Sequence, residues 1–296
     1  MAELVMHRRP YGGVADLRRM QSVVSSRFGG GIEHAGDLGW SVRDQTHLEA
    51  STLATLVESG DGVVLGWVWC HGNGWFDAIA AVDDGSLYET LVSIAVETVA
   101  RLGVHGDAVE SISTLCVEDD EAFAAVLRGN GFAPIEATYE VTRRSLDDVP
   151  QPVLPEGFRF SGVDDALVEA RVEAHRAAFA PSILTIAGFR RVRRTWPYRA
   201  DLDRVVLAPD GTVAAACLAW YDDGIGWGLL EPVGTRPEFQ RRGLGAAVCL
   251  DALHQLRAAG AHSAQVGCES GSGGCATYHS IGFTTVRRVL IFRRTV

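Results

Sequence analysis

Apolar and polar positions in residues 158–296 alternate with two periods, and their order along the chain lays out a series of elements. A period near two marks strands at Phe158–Val163, Arg204–Ala208, Val213–Tyr221, Trp227–Thr235, His262–Cys268 and Thr284–Arg294. Pro209-Asp210-Gly211 and Asp222-Asp223-Gly224 turn the chain between strands, so Asp222 and Asp223 read as hairpin residues. A helical period follows Asp164, a capping side chain, and carries Leu167, Val168, Val172 and Phe179. A second helical stretch, about Ile186–Thr195, stops at Trp196–Pro197. The longest helix starts near Gly243. Its Val248, Leu250, Leu253 and Leu256 alternate with alanines, and Gly260 sits where a C-terminal cap belongs. A short helix near Cys275–Ser280 precedes the last strand.

The same order recurs upstream. Residues 62–69 (GVVLGWVW) resemble 211–220 (GTVAAACLAW), Gly74–Trp75 precedes Gly226–Trp227 by 152 positions, and Gly131–Phe132 precedes Gly282–Phe283 by 151. Both halves finish in a strand closing on an arginine pair, Arg143–Arg144 and Arg293–Arg294. The stretch SLDDVPQPVLPEG, with three prolines, separates them. The expected division is a first copy at 1–147, a linker at 148–157 and a second copy at 158–296. The copies differ in one loop. In the first, the strand ending at Val82 passes through Asp83-Asp84-Gly85-Ser86-Leu87 straight into a helix at Tyr88–Leu102, so this loop is about five or six residues shorter than Arg236–Gly243 and acidic.

Composition narrows the class. With 296 residues, 47% hydrophobic and 22% charged, the chain has the length and apolar content for two cored domains. No apolar run approaches the ~18 residues of a membrane span, and the opening MAELVMHRRPYGG has no signal-type apolar segment, which makes a cytoplasmic protein with no membrane partner the expectation. The six cysteines are scattered, without C-x-x-C, and read as buried thiols. His175, His254, His262 and His279 have no ligand spacing, so no metal is expected. Trp40, Trp67, Trp69 and Trp75 read as core residues, some of which could instead line a cleft between domains. Every basic residue is arginine. Residues 1–150 carry a net charge of −13 and residues 151–296 one of +3. An acidic chain is a poor match for nucleic acid, and its first half favours encounter with cations.

Gln240–Arg241–Arg242–Gly243–Leu244–Gly245 joins the strand Trp227–Thr235 to the long helix. Two glycines let the backbone turn sharply and approach a ligand, and the free N–H groups of the helix start form an anion site. Downstream stands Tyr278-His-Ser-Ile-Gly282-Phe283. Together these motifs resemble the GNAT superfamily of acyl-CoA-dependent N-acetyltransferases, over roughly residues 157–296. The family's Gln/Arg-x-x-Gly-x-Gly/Ala is met by Gln240, Gly243 and Gly245, and its Tyr-x-x-x-Gly-Phe by Tyr278, Gly282 and Phe283. The resemblance implies an α/β chain of α+β GNAT type. Each of two tandem copies is a mixed, mostly antiparallel sheet flanked by helices, with its fourth and fifth strands splayed. The first copy has the apolar Val126 in place of the motif tyrosine and carboxylates in place of the arginines. It reads as a copy that has lost the cofactor, a scaffold with a share in substrate recognition.

The resemblance further implies acetyl-CoA as co-substrate and direct attack of a primary amine on its thioester. Val233, Gly234 and Thr235 would pair with the pantetheine arm, a strand amide near Val233 would polarise the acetyl carbonyl, and Gln240, Arg241, Arg242, Gly243, Leu244, Gly245, Ala246 and Ala247 would surround the pyrophosphate. Tyr278 is the candidate acid, since a phenol near pKa ~10 stays protonated until a thiolate leaves. Glu231 is the candidate base; strict alternation puts it on one face with Trp227, Leu229 and Val233. A buried salt bridge is its other reading, and related sequences often place their glutamate where Leu229 stands. The family's asparagine after the fifth strand is absent from Glu269-Ser-Gly-Ser-Gly-Gly274, which leaves Ser270 or Ser272 to substitute, or a loop made mobile by glycine. The expected acceptor is a small-molecule amine, an antibiotic or metabolite, handled by a monomer or homodimer. A protein or peptide acceptor, and an acyl-CoA sensor without turnover, are the alternatives.

Overall fold

The computed structural model describes residues 6–27, 33–44, 50–71, 73–103 and 109–296; the first five residues, read above for a signal segment, lie outside these. The chain runs β1 (Met6–Pro10), α1 (Val14–Arg27), α2 (Ala35–Ser41), α3 (Ala50–Leu53), β2 (Ala54–Ser59), β3 (Val64–Cys70), β4 (Phe76–Ala80), α4 (Gly85–Gly103), β5 (Ser111–Val117), α5 (Glu121–Gly129) and β6 (Ala133–Ser145). It continues with β7 (Arg159–Gly162), α6 (Val168–Ala178), α7 (Ile186–Val192), β8 (Asp203–Leu207), β9 (Val213–Asp222), β10 (Trp227–Thr235), α8 (Leu244–Ala259), β11 (Ser263–Glu269), α9 (Gly273–Ser280) and β12 (Thr284–Thr295). No helix among the described residues is long and apolar enough to cross a membrane.

Two compact units result, and they do not divide at the linker. The first takes in Met1–His34, Asp44–Tyr139 and Arg287–Val296; the second Ala35–Arg43 and Glu140–Val286. This corrects the linear division at 148–157. Strand β6 starts in the first unit and ends in the second, and β12 does the reverse. In the first unit β12 pairs antiparallel with β5, Val289 opposite Val117 through Thr295 opposite Ser111. In the second the strand order is β6-β11-β10-β9-β8-β7. There Thr142 Oγ1 of β6 donates to the Val266 carbonyl at 3.0 Å, and Arg143 Nε to Gln265 Oε1 at 3.0 Å. Helix α2, from the first half of the sequence, also belongs to the second unit. Gly36 and Gly39 permit this, because a Cβ at either would lie within 3 Å of the Trp220 ring.

The first unit's sheet runs β1-β2-β3-β4 in antiparallel pairs, with Trp67 and Trp69 buried as core. Helix α4 buries Leu87, Leu91, Val92 and Ala95 against Phe76 and Phe132. Its loop from β4 has four residues (81–84) against eight (236–243) between β10 and α8, a difference of four rather than five or six. Asp84 Oδ1 accepts from the Leu87 N–H at 2.9 Å and so caps α4 with a carboxylate, which closes that helix start to phosphate. The repeat alignment needs one correction. The Phe132 N–H donates to the Leu127 carbonyl as Phe283 N–H does to Tyr278, so Leu127, and not Val126, stands in the tyrosine's place.

Asp16 ties α1 to β1. It accepts from Arg9 Nη1 at 2.6 Å and from the Gly12 N–H at 2.7 Å. The Arg9 guanidinium is the main cause that holds its carboxyl down at about 2, below the ordinary 3.8. A folded-state pKa below the unfolded one gives stability that is present above pH ~4 and lost as pH falls through about 2. Urea midpoints taken at about pH 5 and pH 2.5 should therefore fall further for the wild type than for Asp16→Asn. Equal falls would show that Asp16 does not carry this acid sensitivity.

Candidate active site

The second unit is built on β10. Parallel pairing with β11 holds for Trp227, Gly228 and Leu229, opposite Ser263, Ala264 and Gln265, and then stops. Beyond it β10 continues to Thr235 with β9 alone as partner. The two strands thus part into a notch with an unpaired edge, where backbone groups need partners.

The pairing with β9 slips at the same place. Leu230 faces Ala219 and Val233 faces Cys217, so three steps on β10 match two on β9, a β-bulge at Glu231–Pro232. One extra residue inverts the alternation. Gly228 meets Leu256 of α8, and Val233 packs with the same α8-side cluster, while Gly234 meets Ala178 and Phe179 at the end of α6. The single face expected for Trp227, Leu229, Glu231 and Val233 is therefore broken. The Arg236 N–H donates to the Ala214 carbonyl, so by the antiparallel alternation Gly234 turns its backbone to β9 while Val233 and Thr235 turn theirs to the open edge. That takes Gly234's own amide out of the notch. The Thr235 carbonyl, pointing outward, accepts from Gln240 Nε2 at 3.3 Å, which ties the following loop to the strand.

The loop ends in two left-handed residues, Arg241 at φ 60° and Gly243 at φ 78°. Gly243 is the N-cap of α8 and offers no side-chain cap, so the N–H groups of Leu244, Gly245 and Ala246 are left to a ligand. A Cβ on Gly245 would stand 3.3 Å from Thr235 Oγ1, which shows how closely this helix start approaches β10. Arg241 and Arg242 are exposed, the latter over the Phe239 ring at 5.5 Å, and Ala247 is buried. An outward backbone edge therefore runs into a bare, positive helix end. Asp84 denies the first unit this arrangement.

Residues 169–283 match the sequence pattern of the acetyltransferase (GNAT) family. The second unit is a GNAT acetyltransferase domain. Solved structures agree over the whole chain. A GCN5-related N-acetyltransferase from Sphaerobacter thermophilus superposes with TM-score 0.68 at 18% identity, covering 98% of this chain and 95% of its own. A tandem GNAT protein from the clavulanic acid biosynthesis pathway gives 0.65 at 14% identity, with 98% of each chain covered. The Saccharomyces cerevisiae N-myristoyltransferase with bound myristoyl-CoA gives 0.63 at 11% identity, covering 98% of this chain and 79% of its own. No curated protein matches by sequence. The fold is thus a tandem GNAT, and the family's activity is acyl transfer from acyl-CoA.

Within the GNAT domain, Glu231 sits at the bulge, half-buried, its carbonyl accepting from Trp220 Nε1 at 2.6 Å. Burial pushes its carboxyl pKa up, against the lowering effect of the Arg43 charge. Tyr278 is 8% exposed and edge-on to Phe283 at 6.1 Å. Burial raises its phenol well above 10, helped by the charge of Glu231. Asp222 accepts from the Gly224 N–H at 3.0 Å, as a turn residue does.

Two features here escaped the sequence. Trp40 and Arg43 of the α2 segment belong to this unit, with Arg43 4.7 Å over Trp40 and Trp40 edge-on to His175 of α6 at 5.3 Å. Their remoteness in sequence hid them. His175 is buried, and burial lowers its pKa to about 3, so its imidazole is neutral. Second, Cys268 and Cys275 form a disulfide, which corrects their reading as thiols; Cys70, Cys116, Cys217 and Cys249 are free and buried. The bridge closes Glu269–Gly274, so the loop is stapled rather than mobile. Ser272 is committed as the N-cap of α9, accepting from the Cys275 N–H at 3.2 Å.

Proposed function

We propose that the GNAT domain transfers the acetyl group of acetyl-CoA to a primary amine of a small molecule. The observation that carries this reading is the open edge of β10 leading into the uncapped start of α8. The Val233 and Thr235 amides suit an amide-bearing arm laid along the notch, and the N–H groups of Leu244 to Ala246 suit a pyrophosphate. Acetyl-CoA supplies the activated thioester. Val233 N–H donates to the acyl oxygen, where negative charge grows as the amine adds. Glu231, whose carboxylate burial makes more basic than an exposed one, removes a proton from the incoming ammonium. Tyr278 holds a proton for the departing sulfur, so the C–S bond breaks without releasing a bare thiolate. Trp40, His175 and Phe179 supply apolar and aromatic surface for the acceptor's body.

Gly245→Val tests the cofactor half of this proposal, because its side chain would fill the space between α8 and Thr235. Calorimetric titration with acetyl-CoA should show affinity at least about tenfold weaker than wild type, the equivalent of one lost amide contact or more. Thiol release against a panel of small amines should fall in parallel. Undiminished acetyl-CoA affinity in this variant would remove the notch from consideration.

A further inference from the structure

The first unit keeps the same parting of strands without the same ligand chemistry. Trp75 bridges Ser113 in parallel, the counterpart of Trp227 opposite Ser263, and past that point β4 and β5 belong to separate ladders. A cavity lies between them, walled by β4, β5 and residues of α1, α4 and α5. Asp84 closes the start of α4, so no phosphate site adjoins it.

The cavity has its own chemistry. Ala78, Ala80 and Phe123 give it apolar walls, and among the described residues Asp77, Asp120 and Glu33 line it together with one cation, Arg27. Arg27 is engaged by Asp83, which also accepts from the Tyr88 hydroxyl at 3.1 Å. Asp120 uses Oδ1 to cap α5 through the Phe123 N–H at 3.0 Å, and Asp77 uses Oδ2 on His71 at 2.9 Å, so each has one oxygen committed. Thr114 supplies a second, separate indication. It lines the cavity at 2% exposure, in the row of the buried Ile112 and Cys116; its backbone pairs with β12, and its hydroxyl makes no hydrogen bond among the described residues. A hydroxyl in an apolar row without a partner costs stability, and such groups in folded proteins generally serve a ligand or a water.

We propose that this cavity binds a small organic cation, a short alkylammonium, with its alkyl body against Ala78, Ala80 and Phe123 and its ammonium between Asp77, Asp120 and Thr114 Oγ1. The site is separate from the GNAT domain's chemistry. An ammonium brings three donors to a lining rich in acceptors, and its charge offsets the excess of carboxylates there.

The test uses the full chain carrying Glu231→Gln, which blocks turnover, titrated by calorimetry with n-butylammonium and with 1-butanol. Butylammonium should bind, and the alcohol should bind at least about tenfold more weakly because it lacks the charge. Thr114→Val keeps the shape, and Asp120→Asn keeps a good N-cap; each should weaken butylammonium about tenfold while acetyl-CoA affinity stays at its parent value. Equal binding of amine and alcohol, or amine binding indifferent to both substitutions, would overturn the proposal. Displacement of the amine by acetyl-CoA would overturn it too. None of these outcomes bears on whether the GNAT domain acetylates amines, which the thiol-release assay reads separately.

Discussion

Replacing Tyr278 by phenylalanine should lower kcat for the proposed acetyl transfer by about 10²–10⁴-fold, with acetyl-CoA affinity staying within about twofold of wild type. The division between the two follows from where Tyr278 sits. Its ring is buried and packs edge-on against Phe283, a contact phenylalanine reproduces, so the variant folds as the parent does. What it loses is a hydroxyl whose proton is held firmly. Burial, with the charge of Glu231 behind it, keeps the phenol protonated at any working pH. A group of that kind can donate to a leaving thiolate and cannot serve as base. Stopped-flow thiol release at saturating acetyl-CoA is the measurement. A fall in kcat under about threefold would reduce Tyr278 to a packing residue and return leaving-group protonation to solvent.

The second large effect is on stability. Arg171 of α6 and Asp203 of β8 form an ion pair at 3.2 Å that water scarcely reaches, with side-chain exposures of 2% and 0%. The Tyr198 hydroxyl adds a bond to Asp203 Oδ2 at 3.4 Å, and the guanidinium lies 5.5 Å from the Phe189 ring. Removing one partner strands a buried charge. Asp203→Ala should lower unfolding free energy by about 3–5 kcal/mol, read from urea denaturation. The double replacement Arg171→Met with Asp203→Leu should recover most of it, because apolar side chains of similar size need no counter-charge. A loss below about 1 kcal/mol for Asp203→Ala would mean that water or another group reaches Arg171. The pair matters to the site as well, since α6 brings His175 and Phe179 beside β10.

Local order was legible in the sequence to a useful degree. Strand β10 runs over Trp227–Thr235 as its alternation indicates, and Gly260 ends α8 in the left-handed conformation that suits glycine. Asp164 does accept from the Leu167 N–H, although a short 3₁₀ turn at Asp165–Leu167 precedes the helix. The signals behind these readings lie within a few residues of each other, where periodicity and caps operate. The bulge at Glu231 was invisible for the opposite reason. Its cause is the register with β9, and alternation along one strand carries no information about an extra residue relative to its neighbour. The exchange of β6 and β12 is likewise a matter of pairing between segments far apart in the chain, such as Thr142 with Val266 and Val289 with Val117, and both strands look like ordinary closing strands in isolation. Disulfide pairing of Cys268 with Cys275 depended on how α9 turns back after β11, which a glycine-rich loop does not announce. Motif glycines told more, since Gly243 and Gly282 take up backbone angles that other residues resist.

The shared closing strands also bear on how the chain comes into being. The first unit includes Arg287–Val296, the last residues of the sequence, and those residues form the partner of β5. A ribosome that has finished the first 150 residues has therefore not yet made all of that unit, whose β5 edge stays bare until residues 287–296 are made. Synthesis and final folding of the amino-terminal half are thus uncoupled, and that half is completed only by a strand made after the second unit's own residues.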